Sequence, residues 1–277
     1  MVKEGYKKEV YWPRVIEANP PEQKDLRAEL QVKIKKFLLS IKLKEKREML
    51  EAVYLNNFMH AKTFEQLELL FSILKAMNEI DRGYFVLREY KSMAYFDNAL
   101  PIGYEQTISQ PSTVARMLLL LFDKIWERKG KVKVYEIGTG SGWNVALIAY
   151  ILKLYKIKNE IHSVDRVEGL VNFAKKNIQK LGNKNMKTIM IMFEDGFKYA
   201  KGKKFDYIIF TAGIPNTLVE NKVREMARQS LKAGGRLLCP ETYGEIFIFE
   251  KTEKGMKLKK TQEAFAFVPL LEEKVYE

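Results

Sequence analysis

The chain has 277 residues, of which 47% are hydrophobic and 12% aromatic, so a folded protein with a sizeable core is expected rather than a disordered one. No apolar run approaches the roughly 18 residues that cross a bilayer, and the N-terminal stretch MVKEGYKKEV lacks the apolar segment of a signal peptide. The single cysteine, Cys239, follows an apolar run and is expected to be a buried side chain in a reducing compartment. These observations predict a soluble cytoplasmic protein.

The net charge of +13 has two interpretations. Lysine and arginine in excess can bind the phosphates of a nucleic acid. Most of the basic residues, however, are lysines interleaved with glutamates, as in KLKEKREMLEAV, and this composition is typical of proteins from heat-loving organisms. We favour a solvated surface and keep nucleic acid as an alternative partner.

Helices are predicted throughout the N-terminal part of the chain. Apolar residues recur every three or four positions over residues 26–41, and a second apolar face follows over residues 50–58. The sequence TFEQ, Thr63–Gln66, has the form of a capping box at the start of a further helix. We therefore predict a helical N-terminal extension over residues 1–60, removable without loss of the ligand site, and a second unit over residues 61–277.

From Lys131 onward, segments with the pattern of strands alternate with segments that have the pattern of helices. The predicted strands are KVKVYEI, EIHSV, MKTIMIM, FDYIIFTAG, RLLCPE, IFIFEK and AFAFVPL. The predicted helices are NVALIAYILKLY, GLVNFAKKNIQKLG and LVENKVREMARQSLKAGG. Such alternation predicts an α/β fold with a doubly wound, mostly parallel sheet and helices on both of its faces.

A glycine-rich turn, YEIGTGSGW, joins the first of these strands to its helix. Gly138, Gly140 and Gly142 permit close approach of a ligand to the backbone, with Thr139 between the first two. The spacing differs from the G-x-G-x-x-G of dinucleotide-binding folds. Glu136, two residues before the first glycine, would repel a pyrophosphate and suits a positively charged ligand. S-adenosylmethionine, with its sulfonium and amino groups, fits this pattern better than NAD.

Two later strand ends carry carboxylates. Asp165 ends the second predicted strand, where an acid can accept hydrogen bonds from both ribose hydroxyls. Asp195 and Gly196, in FEDG, follow the third, where an adenine amino group would lie. Each acid alone is also typical of a helix cap or a surface charge. Together with the glycine turn they predict an adenosylmethionine site, and no metal site is predicted.

Over residues 64–277 the chain resembles the protein-L-isoaspartate O-methyltransferases, which implies the adenosylmethionine-dependent methyltransferase fold. The matching segments are ILKAMNEIDRGYFV, AYFDNALPIGYEQTISQP, YEIGTGSGW, FEDG, FDYIIFTAG, LKAGGRLLCP and FVPL. The PIG-x-x-x-TIS-x-P element is the most specific to the family. The resemblance implies that this turn covers the cofactor, presents Thr107 and Ser109 to the reacting groups, and assigns Ser109 to catalysis. A turn hydroxyl that bonds its own backbone is the alternative interpretation of Ser109.

The implied chemistry is methyl transfer to an isoaspartyl carboxylate of a damaged protein. Such a carboxylate has a reference pKa near 4, so it is ionised at neutral pH and needs no general base. Neither of the two histidines, His60 and His162, lies in a motif placed at the site. Ser109 could therefore orient the acceptor carboxylate by donating a hydrogen bond, without acting as a nucleophile.

The sequence also departs from the family. Ser112, Thr113 and Val114 stand where members often have a histidine, and only ETYGE separates Pro240 from the next strand, where the family commonly has a longer glycine-rich loop. That loop borders the peptide site, so the sequence leaves the acceptor open. Two alternatives to the repair function are kept. One is a methyltransferase acting on RNA or another protein acceptor, and the other is a non-catalytic adenosylmethionine-binding module. The oligomeric state is not predicted.

Overall fold

The structure is a computed structural model, and it describes residues 21–182, 186–214, 217–271 and 274–276. The part of the predicted extension that precedes residue 21 lies outside the described residues. Among the helices that are described, none combines the length and the apolar character that a bilayer crossing requires.

Within residues 21–99, three α-helices precede the first hairpin: α1 (Pro21–Ser40), α2 (Lys44–Phe58) and α3 (Phe64–Glu79). The predicted capping box is confirmed at the start of α3. The Thr63 hydroxyl accepts the Gln66 N–H at 3.2 Å, and the Gln66 side chain accepts the Thr63 N–H at 3.2 Å. Both backbone donors would otherwise lack partners in the first turn of the helix.

The first two helices contribute to the same hydrophobic core as α3 and the sheet. From α1 and the residue just after it, Leu30, Ile34, Leu38 and Ile41 are all buried in this core. Their spacing of four, four and three residues places them on one helix face. The boundary at residue 60 stays a prediction, and the structure adds that α1 and α2 both pack on α3.

Deleting residues 1–42, which includes all of α1, should lower the thermal unfolding midpoint while leaving cofactor binding intact. Four buried aliphatic side chains are lost, each stabilising the fold by about 1.5–3 kcal/mol. At about 2–4 °C per kcal/mol for a domain of this size, the expected decrease is on the order of 10 °C or more. Calorimetric unfolding and cofactor titration of the truncated protein measure both effects. A truncated protein that folds but does not bind the cofactor would contradict this prediction.

The segment that contains PIG-x-x-x-TIS forms a β-hairpin, β1 (Leu100–Gly103) and β2 (Gln106–Ile108). Its two-residue loop places Tyr104 and Glu105 at positive φ, 53° and 56°. This is the backbone of a tight hairpin turn whose twist matches that of the strands. The hairpin leads directly into α4 (Pro111–Leu121), where proline at the first position is favourable because its missing N–H would have no helical partner.

The remaining elements form one large sheet with flanking helices and one small sheet. The strands are β3 (Val132–Ile137), β4 (Asn159–Asp165), β5 (Ile189–Phe193), β6 (Phe205–Phe210), β7 (Leu231–Pro240), β8 (Tyr243–Gly244), β9 (Ile246–Thr252), β10 (Gly255–Lys260) and β11 (Phe265–Ala266). The helices are α5 (Trp143–Leu154), α6 (Glu168–Lys180), α7 (Gly196–Ala200) and α8 (Thr217–Ser230).

The large sheet has the order β10-β9-β7-β6-β3-β4-β5. Strands β3 to β7 are parallel to one another, β9 pairs antiparallel with β7, and β10 pairs antiparallel with β9. This arrangement confirms the predicted doubly wound, mostly parallel sheet. The strand order reverses at β3, which lies between β4 and β6, and a ligand crevice is expected at the carboxyl ends there. Cys239 on β7 is fully buried, as predicted.

Two boundaries differ from the sequence prediction. The segment LKAGG, predicted as the end of a helix, begins β7 at Leu231, and Gly234 within it has φ +72°. The predicted strand AFAFVPL pairs with β8 only at Phe265 and Ala266, and further on Pro269 forms an isolated bridge with Gly213. Pro269 has no N–H to donate to a strand ladder.

Candidate active site

A cavity of about 1060 Å³, including its open mouth, lies at the carboxyl ends of β3, β4, β5 and β6. It is bounded on the other side by the β1–β2 hairpin, α4 and the segment after β11. Seven of the predicted site residues line it: Thr107, Ser109, Gly138, Thr139, Gly140, Asp165 and Gly196. Three others, Glu136, Gly142 and Asp195, are not among the lining residues.

Hydrogen bonds connect the glycine turn to the ends of both neighbouring strands, β4 and β6. The N–H groups of Gly138 and Thr139 donate to the Val164 carbonyl at 2.9 and 3.1 Å, which fixes the turn to the end of β4. Gly138 has φ +97°, and a Cβ built on it would overlap the Thr211 hydroxyl, which donates to the Gly138 carbonyl. A side chain at this position is therefore excluded by both backbone conformation and space.

Asp165 is held in a fixed orientation at the end of β4. Its Oδ2 accepts the Gly140 N–H at 2.8 Å and its Oδ1 accepts the Val167 N–H at 3.0 Å. Burial raises the pKa of this carboxyl, and the backbone donors oppose that shift. Both oxygens are in place before a ligand arrives, which suits recognition of the two adjacent hydroxyls of a ribose.

Glu136 lies behind the turn, fully buried, and its side chain does not line the cavity. Asn144 Nδ2 donates to one carboxylate oxygen at 2.8 Å, and the Ser163 hydroxyl donates to the other. Burial raises the pKa of Glu136 to about 7, against the opposing effect of these two donors. Asn144 does line the cavity, so its side chain lies between Glu136 and the cavity.

Glu136→Gln should remove a pH dependence from the free energy of unfolding. Because the folded-state pKa is raised, protonation of Glu136 stabilises the fold fully below about pH 4.5, and this stabilisation is lost as the pH rises through about 7. Within that window the parent should lose about 1.4 kcal/mol per pH unit relative to the variant. Urea unfolding of both proteins across the window measures the difference. A constant difference between the two proteins would contradict this prediction.

Gly142 and Asp195 do not line the cavity, and the contacts that they make are within the fold. Gly142, at φ +87°, precedes α5, and a Cβ on it would come within 3.1 Å of Ala174 on α6. Asp195 caps α7 by accepting the N–H groups of Phe197 and Lys198, both at 2.8 Å, and it also forms an ion pair with Arg166. The helix-cap interpretation of Asp195 is therefore observed, and its contact with adenine stays a prediction.

The cavity end beside β4 and β5 carries charged side chains of both signs. Asp165, Arg166 and Glu194 line it, while Asp195 and Lys274 form ion pairs with Arg166 and Glu194 respectively. Lys198 also acts on the Glu194 carboxylate and helps to lower its pKa, so this group of described residues holds three carboxylates and three cations. The charges at this end are therefore balanced and do not by themselves select a charged ligand.

Arg166 and Glu194 were not predicted as site residues, and neither was the C-terminal tail that touches them. Val275 pairs beside α6, its N–H donating to the Arg166 carbonyl at 2.7 Å and its carbonyl accepting the Glu168 N–H at 3.0 Å. Lys274 lies 3.3 Å from Glu194. These pairings join residues about 80 to 110 positions apart, so no local pattern in the sequence indicates them.

The wall opposite the glycine turn carries the residues that were predicted to face the methyl acceptor, and we call it the acceptor wall. Thr107 and Ser109 reach the cavity from β2 and the residue that follows it, and Thr113 reaches it from α4. Residues 267–271, which contain FVPL, complete this wall. Gly213 holds that segment by donating to the Val268 carbonyl at 2.8 Å and accepting the Leu270 N–H at 2.7 Å.

Ser112, the second residue of α4, connects the turn that carries Ser109 to the N-terminal helices. Its N–H and hydroxyl donate to the Asp97 carboxylate at 2.8 and 2.6 Å, and Asn56 on α2 donates to its hydroxyl at 3.0 Å. Asn57 donates to its carbonyl at 3.1 Å. Helix α2 therefore supports the turn that carries Ser109.

The sheet with its switch point at β3, the glycine turn and Asp165 together define an adenosylmethionine-dependent methyltransferase. A model of the family described as "Protein-L-isoaspartate(D-aspartate) O-methyltransferase (PCMT)" matches residues 56–275. The chain belongs to this protein-L-isoaspartate O-methyltransferase family, as the sequence motifs predict.

Individual members of the family are similar to this chain over most of its length. A protein-L-isoaspartate O-methyltransferase of Pyrococcus abyssi is 38% identical over 206 residues, which cover 73% of this chain and 87% of that protein. One of Methanopyrus kandleri is 34% identical over 209 residues, or 74% and 85% of the two chains. A crystal structure from Plasmodium falciparum, titled as a putative member in complex with S-adenosyl-L-homocysteine, has the same fold. Its TM-score is 0.57 at 22% identity, over 72% of this chain and 90% of that one.

Proposed function

We propose that this protein transfers the methyl group of S-adenosylmethionine to the carboxylate of L-isoaspartyl residues in damaged proteins. One observation carries the proposal: the family-specific turn with Ser109 and the glycine turn with Asp165 line opposite walls of a single cavity. Family membership supports the same reaction.

The residues of the cavity fit this cofactor. Asp165 would hold the ribose, Gly138 and Gly140 would border the ligand without side chains, and Glu194 and Gly196 would border the adenine end. When bound, adenosylmethionine supplies a methyl group activated by the positive sulfonium.

The protein's own contribution is alignment and exclusion of water. Apolar side chains from two sides, among them Met117, Val268 and Leu270, line the cavity between its polar ends. With cofactor and substrate bound, these side chains would keep water from the reacting groups and strengthen the hydrogen bonds inside. Ser109 orients the acceptor carboxylate, which is already ionised at neutral pH, so no residue needs to remove a proton.

The bond formed by the enzyme distinguishes this function from its alternatives. A methyl ester of a carboxylate is hydrolysed by mild base and releases methanol, whereas a methylated amine or nucleobase is not. We expect labelled methyl groups transferred to isoaspartyl peptides to be released in full as volatile methanol after base treatment. Base-stable label on peptide, or label found on RNA and none on peptide, would overturn the assignment.

We further propose that the protein works in the cytoplasm and at elevated temperature, with nucleic acid as no more than an alternative partner of its basic surface. The lysine- and glutamate-rich composition and the single buried Cys239 support this setting. Methyl transfer should rise with temperature well beyond the range of mesophilic enzymes. A maximum at moderate temperature would contradict it.

A further inference from the structure

Arg82 is a fully buried arginine between α3 and the hairpin. Its Nη1 donates to the carbonyls of Ala94 and Phe96 at 2.7 and 3.3 Å, and its Nη2 donates to those of Asn98 and Ser109 at 2.8 and 3.2 Å. One guanidinium thus donates hydrogen bonds to four carbonyls within residues 94–109, the segment that ends at Ser109. The planar fork of donors makes this arrangement available to arginine and not to lysine.

The same guanidinium also lies near the wall of the cavity that carries the glycine turn and Trp143, which we call the cofactor wall. Its Cζ lies 5.4 Å from the centre of the Trp143 ring, within cation–π range. Trp143 begins α5 directly after the glycine turn and lines the cavity. Its indole N–H donates to the Ile80 carbonyl at 3.0 Å, so this ring is fixed as well. Arg82 therefore joins the acceptor wall to the cofactor wall.

Burial lowers the pKa of Arg82 to about 10, so the group remains charged at neutral pH. A buried cation costs stability unless it is well partnered, and an apolar side chain would usually fill such a space at least as well. What an apolar side chain cannot do is hold the Ser109 carbonyl and the Trp143 ring at a fixed separation.

We propose that Arg82 is a positioning residue for methyl transfer: it sets the distance and angle between the Ser109 turn and the cofactor wall at Trp143. The inference rests on the proposed function and names a residue through which that site is aligned. An in-line displacement is sensitive to such alignment, because a misplacement of about 1 Å can cost on the order of a hundredfold in rate.

The test is Arg82→Lys, which keeps the charge and loses the fork. We expect kcat for an isoaspartyl peptide to fall about 10- to 100-fold, while the Kd of adenosylmethionine changes by less than about threefold. Arg82→Gln, which keeps two donors without the charge, is the second variant if the lysine variant does not fold. Both are assayed well below their unfolding temperatures.

Arg27 provides a matched control. It is 4% exposed, donates to the Thr63 carbonyl at 2.5 Å and lies 5.9 Å from the Phe58 ring, yet it belongs to α1, far along the chain from the turn. Arg27→Lys should lower the unfolding temperature and leave kcat unchanged.

Parental kcat in a folded Arg82 variant, or an equal loss of kcat in Arg27→Lys, would overturn the inference and leave the proposed function standing. A parent protein that binds adenosylmethionine but methylates no isoaspartyl peptide would overturn the proposed function, and the inference with it. An equal loss of kcat and of cofactor affinity in Arg82→Lys would indicate a merely structural role and would also overturn it.

Discussion

Replacing Asp165 with alanine should weaken adenosylmethionine binding by about 1–3 kcal/mol, which is roughly five- to 150-fold in Kd. The carboxylate is held by the N–H groups of Gly140 and Val167, so its position is set in advance. The variant would lose the proposed hydrogen bonds to the ribose, and the Gly140 N–H would lose its acceptor. Isothermal titration calorimetry with the folded variant measures the change.

Asp206 is a suitable control for that experiment. Asp165 and Asp206 are both 8% exposed. Asp206 accepts the Lys133 N–H at 2.8 Å and forms an ion pair with Lys232 at 2.6 Å. It lies near the amino end of β6, at the edge of the sheet away from the cavity. Asp206→Ala should cost stability and leave the Kd of the cofactor unchanged. Parental affinity in Asp165→Ala would show that the ribose is not held there.

Replacing Ser109 with alanine should lower turnover much more than it lowers cofactor affinity. The hydroxyl belongs to the acceptor wall and is proposed to orient the incoming carboxylate, so its loss acts on alignment. We expect kcat for an isoaspartyl peptide to fall about 10- to 100-fold, the range for a misaligned nucleophile, with the adenosylmethionine Kd within about twofold of the parent.

A buried serine that does not line the cavity provides a control for a general loss of packing. Ser230 is 2% exposed and donates to the Ala200 carbonyl at 3.1 Å, away from the cavity. Ser230→Ala should keep the parental kcat. If Ser109→Ala also keeps it, the hydroxyl has no part in the reaction and the turn-hydroxyl interpretation is the better one.

The position of the glycine turn and Asp165 in the cavity was predictable because local patterns specify it. Gly138, Gly140 and Asp165 stand at the ends of strands whose alternation with helices implies a parallel sheet, and such a sheet brings its carboxyl ends to one edge. The capping box at Thr63 was predictable for the same reason, since both of its partners lie within four residues.

What escaped prediction depends on contacts between distant parts of the chain. Arg82 looks like an ordinary charged residue after a helix, and only the fold brings the Ser109 carbonyl and the Trp143 ring to it. The pairing of Val275 with Arg166 is of the same kind. Glu136 was expected to face the ligand because it precedes the glycine turn, but its buried position became visible only with the fold.

The assignment is tested most directly by methyl transfer to two synthetic peptides that differ only in one linkage, isoaspartyl in the first and aspartyl in the second. The isoaspartyl linkage moves the carboxylate relative to the backbone, so a site that fixes the methyl donor and Ser109 separately can distinguish the two by geometry. At elevated temperature, we predict labelling of the isoaspartyl peptide at a rate on the order of a hundredfold or more above that of its twin. Equal labelling of both peptides, or none on either while adenosylmethionine binds well, would contradict the repair function.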